Sequence, residues 1–114
     1  MWDNTPIVTS FACPYLHGEV ELSEERERHI AERHPDLLPE HRHRIAPTLA
    51  DPDQIRLSRR FASARLFSRW YDDVKGGKHV VVVVMTAAED GRNWIITAYM
   101  ARELAAGESE WARN

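Results

Sequence analysis

Trp94-Ile95-Ile96-Thr97-Ala98-Tyr99-Met100 reads as a β-strand, and the way its side chains divide between two faces decides the fold. Successive side chains in a strand point to opposite faces. Strict alternation puts Trp94, Ile96, Ala98 and Met100 on one face and Ile95, Thr97 and Tyr99 on the other. Two hydroxyls then sit side by side on an otherwise apolar strand. A hydroxyl on a buried surface costs free energy unless something bonds to it. Thr97 and Tyr99 therefore mark a surface that faces a polar group.

Working outward, the second half of the chain is all strand. Gln54 to Arg60 and Ser63 to Tyr71 are two strands, and Lys78 to Thr86 is a valine run suited to the centre of a sheet. Turn sequences at Asp72–Gly77 and around Asp90-Gly91 separate these strands and the last one, which closes at Ala101. Helices precede them. Ser23 is a good N-cap, Glu24 and Glu25 suit the first turn, and the helix stops near His34 ahead of Pro35. Pro39 can open a second helix carrying Leu38, Ile45 and Leu49, with Pro47 expected to kink or end it. Residues 1–18 read as an irregular arm with a short strand at Ile7–Ser10. Residues 19–102 read as one domain and 103–114 as a helical or frayed tail. The expected fold is α+β: one or two N-terminal helices packed on a four-stranded antiparallel sheet.

The expected faces follow from the same alternation. The helices cover Leu66, Trp70, Trp94 and Ile96, and the open face gathers Arg65, Arg69 and Tyr71 with Thr97 and Tyr99. A register slip of one residue would reverse any strand's assignment. Each residue also has an ordinary reading, arginine as a solvent-facing side chain and tyrosine as half-buried core.

Charge and composition narrow the function. The net charge of -3 argues against a simple nucleic-acid binder, but residues 51–79 carry seven bases and four acids, a basic island in an acidic chain. Met1–Ser10 has no basic residue and no apolar run, so no secretory leader is expected. The longest apolar run, Val80–Met85, is too short to span a membrane, and a single cysteine, Cys13, suits the cytosol. Five of the six histidines precede the sheet. On the first helix His29 shares a stripe with Arg33, and Ile30 shares the next with His34. Ile30 is the only large apolar residue there, so the helix docks by a narrow contact flanked by His29 or His34. Either suits proton transfer near neutral pH, and His34 equally suits a helix-end cap. The histidine spacings lack the i,i+4 pairing of helical zinc sites, so no metal is expected.

The order of these motifs resembles a known family. His29-Ile30-Ala31-Glu32-Arg33-His34-Pro35, then Thr48-Leu49-Ala50-Asp51-Pro52-Asp53-Gln54-Ile55, an Arg/Tyr strand, a Val-rich strand and a final Ile-Thr-Ala-Tyr strand are similar to the phage-associated branch of the barnase–EndoU–colicin–RelE-like ribonuclease superfamily. The resemblance covers about Val20 to Arg102 and implies a metal-independent, cofactor-free endoribonuclease. RNA's 2′-hydroxyl would attack its own phosphate and leave a cyclic phosphate. It implies His29 or His34 as acid or base, Arg65 or Arg69 on the charged phosphorane, and Thr97 on the scissile phosphate with Tyr99 beside it. Arg33, Phe67, Tyr71, Lys78 and Tyr99 are the expected substrate-binding residues, and Phe67, Trp70 and Tyr71 offer stacking surfaces for unpaired bases. The implied partners are single-stranded RNA or one transfer RNA, and an antitoxin or immunity protein. Such proteins act as toxins or phage-related effectors. The acidic balance departs from RelE-like ribonucleases, which tend to be basic. Two other classes fit the residues: a non-catalytic RNA- or protein-binding module on the same fold, and a small-molecule or modifying enzyme with a deep closed pocket.

Overall fold

The computed structural model describes residues 7–105 and 107–113. They form a seven-stranded mixed sheet rather than a four-stranded antiparallel one. Its strands are β1 (Val8–Cys13), β2 (Gly18–Ser23), β3 (Gln54–Leu57), β4 (Ala64–Tyr71), β5 (Lys78–Thr86), β6 (Asn93–Ala101) and β7 (Glu108–Ala112). They lie in the order β1-β2-β6-β5-β4-β3-β7, with β2 parallel to β6 and every other pair antiparallel. Only two short α-helices accompany them, α1 (Glu24–Arg33) and α2 (Ile45–Ala50).

The meander β3 to β6 occupies the four stretches whose alternation marks them as strands. The additions are at the edges. In β1 and β2 the alternating Phe11, Cys13, Val20 and Leu22 are buried, so the N-terminal stretch is a hairpin on the core. At the far edge, β7 is exposed at every residue. It is a strand because its backbone pairs with β3, not because a side-chain pattern demands one.

The helical half is corrected as well. Ser23 caps α1 by accepting from the Arg26 amide at 3.1 Å, and the helix ends where the His34 amide donates to the Ile30 carbonyl. Ile30 is its only buried residue. Residues 35–41 are then turns, with Leu37 and Leu38 in the core, and Pro39 opens no helix. Pro47 is the third residue of α2 and does not end it, since the helix runs on to Ala50. First-turn amides have no intrahelical acceptor, so a proline there costs no bond.

The division of faces is the main correction. Along β6, Thr97 pairs with Val83 but Ile95 pairs with Val84, so Ile96 is an extra residue in the ladder. This bulge turns Ile95, Ala98 and Met100 to one side and leaves Ile96 and Tyr99 on the other. On β4, Phe67 pairs with Val82, and Arg65 and Arg69 pair with Val84 and Val80. All three valines belong to the main core with Ile45 and Leu49 of α2. The helices thus cover the face of Arg65, Phe67, Arg69 and Tyr71, not that of Leu66 and Trp70. The second face holds Leu66, Val81, Val83, Ile96 and Tyr99, crossed by the connection from β6 to β7 through Leu104. That connection is anchored where the Ala105 carbonyl accepts from Arg56 at 2.9 Å.

Phe67 is 0% exposed. Phe67→Ala should therefore cost about 3–5 kcal/mol in chemical denaturation. A loss below about 1 kcal/mol would mean that the ring lies on an accessible surface.

Candidate functional site

The seam between α1 and β6 is where part of the expected site assembles. β2 pairs with β6 only at Val20–Asn93 and Glu21–Trp94. Beyond these pairs the chain turns into α1, which packs against both β2 and β6. A ten-residue helix is about 15 Å long, close to the five strand residues that follow Trp94. The helix thus takes over from β2 as the neighbour of an edge that would otherwise be open.

His34, the C-cap of α1, is half-buried, and its ring centroid lies 5.8 Å from that of Tyr99. Burial raises the Tyr99 hydroxyl above its ordinary range, so the phenol stays protonated. Thr97 stands two residues before Tyr99, half-buried and opposite Val83. Arg33 is exposed at the last position of α1. His29 is exposed and turned elsewhere: it lines a cavity of about 720 Å³ with Arg26, Arg28, Glu32, Arg92 and Trp94.

The other half of the expected constellation is not there. Arg65 and Arg69 lie across the sheet from Thr97 and Tyr99, and both are engaged. Arg65 Nε donates to Glu110 Oε1 at 2.7 Å, and the Tyr15 hydroxyl donates to the same oxygen at 2.8 Å. Arg69 Nη1 donates to the Asp51 carbonyl at 2.5 Å and to its Oδ2 at 3.1 Å. The Tyr71 hydroxyl donates to the Arg44 carbonyl at 3.2 Å and lies 3.1 Å from Thr48 Oγ1. Its ring sits 4.8 Å below the Arg44 guanidinium, so it offers no free stacking face on that side. Phe67 is core, and Lys78 is half-buried opposite Tyr71 at the start of β5.

Sequence reasoning missed Arg44, Glu110 and Trp94. Arg44 joins Asp73 through two bonds of 3.2 and 3.0 Å and donates to His41 Nδ1 at 3.1 Å. Glu110 lies in a polar tail with no pattern to draw attention to it. Among the described residues no three His, Cys, Asp or Glu side chains gather as a metal site would require, and no helix is long and apolar enough to cross a membrane.

Two carboxylates hold β7 in place, and both are acidified. The Arg65 hydrogen bond, against a smaller opposing effect of burial, holds Glu110 below the usual carboxylate range. Arg113 does the same for Asp51, with Arg69 adding to it. A detached β7 would bind protons more readily, so its attachment weakens as pH falls. Below about pH 4, near the ordinary carboxylate value, the amides of residues 108–112 should lose hydrogen-exchange protection before those of β4 and β5. Equal protection factors for β7 at pH 7 and pH 3 would contradict this. Compared with known proteins, the chain matches no family model, no curated protein and no solved structure.

Proposed function

We propose that this protein is a metal-independent endoribonuclease whose working groups lie along the α1–β6 seam. The observation that carries the reading is the 5.8 Å approach of the His34 and Tyr99 rings beside Thr97. An imidazole and two hydroxyls at one strand-and-helix junction can perform internal transfer on RNA. His34 takes the proton of the 2′-hydroxyl, whose oxygen then bonds to the neighbouring phosphorus. The bond to the 5′-oxygen breaks, and that oxygen takes a proton from solvent. The products are a 2′,3′-cyclic phosphate and a free 5′-hydroxyl. Thr97 and the protonated Tyr99 donate hydrogen bonds to the phosphate oxygens, and Arg33 supplies the cation for the developing charge.

Arg65 and Arg69 are not part of this reading; their ion pairs make them holders of β7 and of the β3 entry. The motif order of the ribonuclease superfamily supports the same reaction. An RNA-cleaving protein of this kind fits a cytosolic toxin or phage-related effector, with single-stranded RNA or one transfer RNA as substrate and an antitoxin or immunity protein as partner. The placement of Arg65 and Arg69 on the sheet face opposite Thr97 favours a second reading, a non-catalytic RNA- or protein-binding module.

Purified protein should cleave mixed RNAs equally with and without a chelator. His34→Ala and Thr97→Ala should each lower the rate by about 100-fold or more, while Arg65→Ala and Arg69→Ala should leave it within a few-fold. Absence of cleavage by the wild type, or equal cleavage by all four variants, sinks the nuclease reading. RNA binding without cleavage would establish the second.

A further inference from the structure

The cavity that His29 lines has no role in the reaction above, yet it lies on the same seam. Its volume of about 720 Å³ falls within the range of small-ligand sites, roughly 300–1,000 Å³. Its walls combine three kinds of group. Trp94 of β6 supplies an aromatic surface, Arg26, Arg28 and His29 of α1 supply cations and donors, and Glu25 and Glu32 supply acceptors. At the rim Arg92 is already engaged, with Nη2 and Nε 2.7 and 3.0 Å from Glu21 Oε1. Arg26 and Arg28 are exposed and make no ion pair among the described residues.

That mixture selects a ligand class. A bare polyanion would meet Glu25 and Glu32 as well as the arginines and gain little. A purely apolar ligand would leave the guanidiniums unserved. A nucleotide answers all three: a base with a flat face, a phosphate, and hydroxyl or amino donors. Because Ile96 is bulged, Trp94 and Thr97 pair with Met85 and Val83, two residues apart on β5 and about 7 Å along the sheet. At about 3.4 Å per stacked base, that span holds up to roughly two nucleotides. The cavity is thus within one or two nucleotides of the proposed scissile phosphate.

We propose that this cavity is a nucleotide subsite that takes one unpaired base of single-stranded RNA flanking the cleaved bond. The base stacks on Trp94 and its phosphate is held by Arg26 and Arg28. This rests on the reading that the seam works on RNA, and it adds why the substrate must be single-stranded there. A paired base cannot leave its helix to enter the cavity without unstacking.

The test uses the full chain and a short RNA carrying 2′-O-methyl groups throughout, which cannot undergo internal transfer. Fluorescence anisotropy of the labelled RNA reads binding. The wild type should bind it, and bind the same sequence as a duplex at least tenfold more weakly. Trp94→Ala should weaken binding about 5- to 150-fold, Trp94→Phe should restore most of it, and Arg26→Ala with Arg28→Ala should weaken it about tenfold. Lys75→Ala, in the distant β4–β5 turn, should change nothing. With cleavable RNA, Trp94→Ala should raise KM while kcat stays within a few-fold. No binding by the wild type overturns the subsite, as does equal binding by wild type and Trp94→Ala or equal binding of the duplex. If the subsite fails while His34→Ala still abolishes cleavage, the nuclease reading stands without it. If Trp94-dependent binding is found with no cleavage, the subsite stands and the nuclease reading falls.

Discussion

The bulge at Ile96–Thr97 is the constraint on which the rest of the structure depends. One extra residue in β6 lets Ile95 and Ala98, three positions apart, both enter the main core. Without it, either Ile95 or Ala98 would face away, since the side-chain period of a regular strand is two. The same insertion leaves Ile96, Thr97 and Tyr99 toward the second face and toward the end of α1. It also separates them from the β4 arginines, which share a face with Phe67. A single backbone irregularity therefore places Thr97 and Tyr99 on the face away from the strand cations, with the Tyr99 ring beside His34.

The charges reorganise accordingly. The basic island in the middle of the chain is only partly neutralised in the fold. Glu110 answers Arg65 and Asp51 answers Arg69, while Arg44 just outside the island takes Asp73. Exposed pairs of this sort are worth only about 0–1 kcal/mol each, so they do not hold the sheet together. Their effect is positional: they tie the C-terminal strand to the β3 edge and quench cations that would otherwise attract phosphate. The guanidiniums without an ion-pair partner among the described residues are Arg26, Arg28 and Arg33 on α1, Arg56, Arg59 and Arg60 in and just after β3, and Arg102 after β6. A chain that is acidic overall can thus still present cations locally, three of them on one helix.

How much of this was legible follows from what leaves a pattern. Strands β4 to β6 are visible because they combine β-branched residues, period-two alternation and turn sequences. The start of α1 is visible because Ser23, Glu24 and Glu25 obey capping and dipole rules. The hairpin of β1 and β2 was obscured by Pro14 and by only four alternating apolar residues. β7 could not be read at all, since a strand exposed on both faces carries no hydrophobic period. The bulge was invisible for a different reason: Ile95-Ile96-Thr97-Ala98 is compatible with either phase, and only pairing with Val83 and Val84 chooses. The assignment of Leu66 and Trp70 to the helical face failed because Phe67, on the opposite phase, fills the core instead. Of the candidate site, the approach of a histidine on α1 to Tyr99 was legible, but not which histidine it is, and not where the arginines lie.

The seat of α1 bears on how RNA could reach such a seam. The helix contributes one buried side chain, Ile30, with Ala31 partly buried beside it, and is also held by polar ties. The strongest of these is Arg42, which donates to Glu27 at 2.6 Å and to Thr9 Oγ1 at 3.0 Å, bridging the helix to β1. An element with so little buried apolar area sits at the low end of local stability. The β5 valines and Phe67, by contrast, fix β6 in the centre of the sheet. The seam thus has one rigid wall and one lightly held wall. A rigid wall keeps Thr97 and Tyr99 in register, and a lightly held one lets a chain-like ligand enter from the side without disturbing the core. On the proposed reading, the narrow contact that makes α1 a weak structural element would also be what admits an extended strand of RNA.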